Sequence, residues 1–231
     1  MVKNLKFITI IVGILMIVTG VILLFINPLV VGKLPKGFFT PILALEFMHN
    51  TAQLTSYFDI VTVQSVKQSL IIGNQVDYVY MCLYSLFIMA ITGLIYSESK
   101  IKTLLIVLPL VVLVCIADVF ENMNIQEILS MNQYQNAGLI LEQLHLFTWL
   151  KWGGLSTILL ILAMYFIQKS IGYKLLGLLM ILTFIISFPA LILGGIYCEM
   201  MANLIMVSFI GLFIFAVTFR PISEIVDLHP L

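Results

Sequence analysis

The amino-acid sequence predicts an all-α protein, a polytopic bundle of six transmembrane helices with short amphipathic helices on its outer side. Hydrophobic residues make up 62% of its 231 positions and charged residues 10%, whereas soluble domains contain about 45–50% apolar and about 25% charged residues. A soluble chain of this size buries only part of its surface, so such a composition favours lipid surroundings. The lengths of the apolar runs and the positions of the lysines support the same class.

Six apolar runs approach the length that crosses a membrane, since a helix needs about 20 residues to span about 30 Å of hydrocarbon. The runs are continuously apolar, unlike the alternating strands of a barrel. The predicted spans, within a single membrane domain covering residues 1–231, are Phe7–Ile26, Tyr78–Tyr96, Ile101–Ala117, Leu146–Ile167, Leu175–Leu193 and Met200–Phe219. A cleaved signal peptide is the alternative for the first span, but no small-x-small cleavage site follows it.

The lysines predict the orientation, because cytoplasmic loops of membrane proteins carry an excess of Lys and Arg. With a cytoplasmic N-terminus, most of the basic residues lie inside: Lys3, Lys6, Lys100, Lys102, Lys169, Lys174 and Arg220. The long segment between the first two spans then holds the outer ones: Lys33, Lys36 and Lys67. We therefore expect a plasma (inner) membrane protein of the bacterial type with both termini in the cytoplasm.

The extracytoplasmic segment 31–75 has helical signals of its own. Thr40–Pro41 is typical of an N-cap followed by proline at the first helical position. It predicts an amphipathic helix that continues as far as Asn50. A second amphipathic helix is predicted over Tyr57–Ile72, ending at Gly73–Asn74. Both are expected to pack over the outer face of the bundle.

A few ionisable residues are placed at the outer ends of the spans. Asp118, Glu121 and Asn122 share one helical face by their i, i+3, i+4 spacing. Asp118 and Lys151 each lie 18 residues from a lysine of a cytoplasmic turn, which places both about 27 Å above the inner boundary. Charges at this depth are costly unless they are paired or face water. We expect Lys151 to pair with Asp118 or Glu121, and we predict a candidate polar cluster of Asp77, Asp118, Glu121, Asn122, Lys151, Glu46 and His49.

This cluster has two interpretations, a structural knot that fixes the helix register or the floor of an outward-facing pocket. Glu46 and His49 also have Glu-x-x-His spacing, and with Asp118, Glu121 and His145 they offer the imidazole and carboxylate groups that can bind a metal. A single such motif is weak evidence, because a di-iron bundle uses it twice. We therefore predict no metal site and no cofactor.

Four short motifs resemble those of a group of bacterial multi-pass membrane proteins for which no activity is established. They are LEFMHN (45–50), DYVYMCLY (77–84), DVFENMNI (118–125) and WLKW (149–152). The group shows a D-x-x-E-N motif at the end of span three and a lysine in span four, and the resemblance covers Pro41 to Trp152. It implies that the residues at the outer rim belong together and implies nothing about a substrate.

Three function hypotheses follow. The first is the binding, carriage or sensing of a small or lipid-like molecule, because acids and a lysine beside lipid suit an amphiphile with a polar head. The second is an intramembrane lipid-modifying enzyme that uses Glu46, Glu121 or His49 as acid–base groups, with or without a metal; no known catalytic motif supports it. The third is a structural or assembly factor. Membrane lipids are the expected partners, the zero net charge gives no reason to expect nucleic acid, and the oligomeric state stays open.

Overall fold

The computed structural model describes residues 2–219, and every regular element in that range is helical. The predicted cytoplasmic residue Arg220 and the tail 221–231 lie outside the described residues. The helices are α1 Val2–Ile26, α2 Pro41–Glu46, α3 Thr51–Tyr57, α4 Val63–Ser99, α5 Val107–Ser130, α6 Gly138–Phe166, α7 Ile171–Leu193 and α8 Ile196–Thr218, with a 3-10 helix at Lys102–Ile106 before α5.

Within residues 2–219, six helices are long and apolar enough to cross a membrane, which confirms the predicted fold class. Each long helix packs mainly against the next in chain order, and α8 returns to α1. The Nζ of Lys6 donates to the carbonyl oxygen of Phe219 at 2.6 Å, and the Nζ of Lys169 donates to Glu98 Oε1 at 2.6 Å. The start of α1, the end of α8 and the turns after α4 and α6 therefore lie at one end of the bundle, here called the hairpin end.

The prediction of a separate helix over Tyr57–Ile72 is wrong, because α4 begins at Val63 and continues without a break to Ser99. Gly73 does not end a helix. It faces α1, where an added Cβ would collide with the side-chain oxygen of Asn27. Glycine here leaves room for the Asn27 side chain, so a tertiary contact and not a helix end accounts for this residue.

The helix predicted from Pro41 through Asn50 is also wrong in its length, because α2 ends at Glu46. The side chain of Asn50 accepts a hydrogen bond from the Gln53 amide at 2.9 Å and so caps α3. Asparagine competes well for such positions because its short side chain can replace a backbone acceptor. Glu46 and His49 therefore do not share the face of one helix.

Helices α4, α5 and α6 extend well beyond their predicted apolar spans. Val63 precedes the predicted start at Tyr78 by 15 residues and Gly138 precedes Leu146 by 8, which corresponds to about 22 Å and about 12 Å of helix. These extensions and the short helices enclose a second apolar core, separate from the core of the bundle. Its buried residues are Val31, Leu45, Met48, Leu54, Tyr57, Phe58, Val66, Leu70, Ile125, Ile128, Leu129, Ala137, Leu141 and Leu144. We call this part of the protein the cap, and the candidate polar cluster lies between the two cores.

Candidate functional site

Lys151 is at the centre of the site, on α6, with 6% of its surface exposed. Its Nζ lies 3.1 Å from Asp118 Oδ1 and 3.5 Å from Glu46 Oε1, and it contacts Glu121 Oε2. Two of these carboxylates come from α5 and one from the end of α2. The lysine therefore pairs with both acids that the sequence offered as alternatives, and Glu46 joins them. We call these four residues the ion cluster.

Neutral donors hold the remaining carboxylate oxygens of the ion cluster. Tyr84 Oη donates to Asp118 Oδ2 at 2.6 Å, Thr148 Oγ1 donates to Glu121 Oε1 at 2.6 Å, and Trp152 Nε1 donates to Glu46 Oε2 at 2.9 Å. Each acid thus directs one oxygen to the ammonium and the other to a hydroxyl or indole. Such satisfied networks fix side-chain positions, because an unpartnered polar atom would be costly at this depth.

Sequence reasoning missed two of these donors, Thr148 and Trp152. Trp152 belongs to the WLKW motif, and tryptophans at the end of a span are typical of an interfacial aromatic belt rather than of a bond to a buried acid. Thr148 precedes Lys151 by three residues on α6 and so lies on the same helical face. This spacing was the sequence signal that could have placed the Thr148 hydroxyl beside Lys151.

Asp77 and Asn122 form an extension of the ion cluster on α4 and α5. Asn122 Nδ2 donates to Asp77 Oδ2 at 2.8 Å, and Asn74 Nδ2 donates to the carbonyl oxygen of Asn122 at 3.0 Å. Asp77 is half-buried, whereas Asn122 is 2% exposed. The structure thus brings both residues beside the ion cluster, with Asp77 held through the amide.

His49 does not join the carboxylates. It is exposed, and its ring lies beside that of His145, with 6.1 Å between the centroids. His145 Nε2 in turn accepts a hydrogen bond from Trp149 Nε1 at 3.2 Å. Within residues 2–219 no group of three or more His, Cys, Asp or Glu side chains is placed to hold a metal ion.

The ion cluster carries a surplus of acid in a buried place. Glu121 is 0% exposed, Asp118 1% and Glu46 8%, and one ammonium faces all three carboxylates. Burial raises the pKa of Glu46 above its ordinary value, against the attraction of Lys151 and the hydrogen bond from Trp152, which both lower it.

The segment Phe38–Met48, here called the lid, covers the ion cluster and is fixed at both ends. At its start, Glu199 of α8 accepts hydrogen bonds from the Phe39 and Thr40 amides at 2.9 and 2.7 Å and from the Thr40 hydroxyl at 2.7 Å. At its other end, Glu46 reaches Lys151. In this closed arrangement the side chains satisfy one another, as a structural knot requires, and the pocket interpretation would require the lid to move.

Aromatic rings extend the contact of the lid with α6. The ring centroid of Phe47 lies 5.0 Å from that of Trp149 in an edge arrangement and 6.3 Å from that of Trp152. Phe38 stacks on Phe47, with 6.2 Å between the ring centroids. Edge and offset ring pairs stabilise such contacts beyond their buried area. The position of the lid is therefore linked to both tryptophans of the chain.

An apolar groove of about 590 Å³ lies between α5, α6 and α7. Its lining residues include Leu110, Ala117, Phe147, Trp149, Gly153, Gly154, Thr157, Ser187, Phe188 and Leu191. The hydroxyls of Thr157 and Ser187 are bonded to carbonyl oxygens of their own helices, so the groove offers little unsatisfied polarity. A Cβ added at Gly153 would meet no atom within 4 Å, which shows open space above this glycine.

The ion cluster, its extension at Asp77 and Asn122, and the neighbouring groove thus form one candidate site, built from α2 and α4–α7. No family model, no curated protein and no solved structure matches this chain, so the chemistry of these side chains is the basis for any function.

Proposed function

We propose that this is a plasma-membrane protein, with both termini in the cytoplasm, that binds a lipid-like molecule from the outer leaflet. The apolar groove between α5, α6 and α7 is the observation that carries the proposal. Along α5 the groove extends from Leu110 to Ala117, about 10 Å of helix. Ala117 directly precedes Asp118, so the groove occupies the half of the bundle next to the ion cluster.

The occupant that suits this groove is an acyl chain. Its wall is apolar, its hydroxyls are satisfied within their own helices, and it lies among the membrane-crossing helices. Lipid tails and apolar side chains are equally apolar, so the hydrophobic effect does not favour one over the other inside the membrane. Selective binding there depends on van der Waals fit. Gly153 leaves room for a chain, whereas Gly154 packs against Val114 of α5. The polar head would then lie at the level of the ion cluster and the cap.

The proposed orientation is supported by the lysines, which concentrate at the hairpin end. Lys100 and Lys102 follow α4, and Lys169 and Lys174 surround the turn before α7. It can be tested by cysteine labelling in a background whose three native cysteines are replaced by serine. An impermeant maleimide applied to intact cells should label Gln135→Cys in the cap and spare Ser99→Cys at the hairpin end. The reverse pattern would refute the orientation.

Native mass spectrometry of the protein in a mild detergent tests lipid binding. Wild-type protein should retain phospholipid, and Gly153→Phe should lose most of it, because the new side chain starts in the open space of the groove and its ring would occupy the room for a chain. Gly172→Phe is the matched control, since Gly172 lies near the hairpin end of α7 and also has no atom within 4 Å of an added Cβ. Equal retention of lipid by both variants would contradict the proposal.

A further inference from the structure

The ion cluster has one base for three acids. Lys151 is the cation in contact with Glu46, Asp118 and Glu121, and the remaining oxygens of these acids are held by neutral donors. With all four groups ionised, the enclosed charge is negative. An uncompensated charge in a low-dielectric interior is costly, and a carboxylate in that position takes up a proton instead.

Glu46 differs from the other acids of the cluster because it belongs to the lid. Asp118 and Glu121 are fixed on α5, which is continuous from Val107 to Ser130. Glu46 ends the six-residue helix α2 and is followed by the irregular residues Phe47–Asn50. Movement of the lid would carry the Glu46 carboxyl out of the cluster and leave the fixed acids with Lys151. Glu46 is therefore the acid whose surroundings change when the lid moves.

We infer that the lid is a proton-linked latch, in which closure over the ion cluster captures a proton on Glu46 and opening releases it. In the closed state the charged groups around Glu46 are Lys151 from α6, Asp118 and Glu121 from α5, and Asp77 from α4. The acids outnumber the base, so a neutral Glu46 suits the closed state better than an ionised one. In the open state the carboxyl faces water and ionises as in a peptide.

The direction of the pH dependence follows from this difference. Burial raises the pKa of Glu46 in the closed state, so that state binds the proton more tightly than the open state does. Closure is then favoured at acid pH, and the lid opens as the pH rises through the closed-state pKa. Because Phe47 of the lid packs against Trp149 of the groove wall, opening would also alter that wall, although the latch itself does not depend on lipid binding.

Tryptophan fluorescence tests the latch directly, because Trp149 and Trp152 are the two tryptophans of the chain. Trp149 donates a hydrogen bond to His145, whose own titration would change the emission of Trp149. The experiment therefore uses a Trp149→Phe background, in which Trp152, the hydrogen-bond donor to Glu46, is the sole reporter. We expect the emission of Trp152 to shift to the red, and its quenching by acrylamide to increase, as the pH rises. Glu46→Gln mimics the protonated carboxyl. In this variant the emission of Trp152 should stay at short wavelength, and its quenching by acrylamide should stay low, at every pH.

Glu142→Gln is the matched control, since Glu142 is an exposed acid on the same helix as Trp152, and it should keep the pH-dependent shift. The inference would be overturned by an emission that does not change with pH, or by an unchanged shift in Glu46→Gln. Spin labels at Ile42→Cys and Gln143→Cys provide a second measurement that retains Glu46. Their separation should lengthen with rising pH, and a constant separation would also overturn the inference.

Discussion

Replacement of Lys151 by methionine is the sharpest test of the ion cluster. Methionine is similar in length and shape to the lysine stem but carries no charge, so the packing changes little while the cation is lost. Three buried carboxylates would then face no ammonium. We expect Lys151→Met to be strongly destabilising, by about 3–5 kcal/mol, the range measured when one partner of a buried ion pair is removed.

Lys169→Met is the matched control within the same protein. Lys169 also pairs with a glutamate, but the side chains of Lys169 and Glu98 are 34% and 19% exposed. Exposed pairs contribute only about 0–1 kcal/mol, because water screens them and ordering two long side chains costs entropy. We therefore expect Lys151→Met to lose several times as much free energy of unfolding as Lys169→Met.

Unfolding of the purified protein in mixed micelles, titrated with SDS and followed by circular dichroism, measures both free energies. The loss in Lys151→Met should shrink as the pH falls, because protonated carboxyls no longer need the cation. A loss for Lys151→Met no larger than that for Lys169→Met would refute the reasoning, since it would mean that the carboxylates are not held by the lysine.

The remaining predictions use the same unfolding assay. In a charge exchange, Asp118→Lys and Lys151→Asp should each be destabilising, and the double variant should recover part of the loss because the opposite charges still meet; an additive loss would argue against direct pairing. Gly154→Ala should destabilise by about 1–3 kcal/mol because its Cβ overlaps Cγ2 of the short, stiff Val114 side chain. Gly93→Ala, where the nearest atom lies at 3.4 Å, should be neutral or slightly stabilising, and equal losses at both glycines would contradict this explanation.

The sequence predicted the membrane-crossing helices well because their cause is local. An apolar run of sufficient length specifies a helix in lipid whatever surrounds it, since the backbone must satisfy its own hydrogen bonds there. The same logic failed for segment 31–75, where Gly73 looked like a helix end and Asn50 like a residue within a helix. In the first case the decisive contact, with Asn27 just after α1, is tertiary. In the second case the contact is local, since the Gln53 amide bonds to the Asn50 side chain, and the helical pattern was extended past this N-cap.

The candidate site was predictable in part. Depth estimates place Asp118 and Lys151 at one level because helical rise is constant, and the structure brings them into contact. His49 was expected in the cluster and lies at the surface instead, because α2 ends before it. The resemblance to the D-x-x-E-N group, the enzyme hypothesis and the structural-factor hypothesis stay predictions.

The sequence by itself determined that this chain is a bundle of six membrane-crossing helices with scarce charges near one end, because hydrophobic length and charge placement act residue by residue. Only the tertiary structure decided that Glu46 closes the ion cluster, that the second core rises above it and that a groove lies beside it. These features depend on which helix faces which, and helix packing is set by side-chain shape across distant parts of the chain.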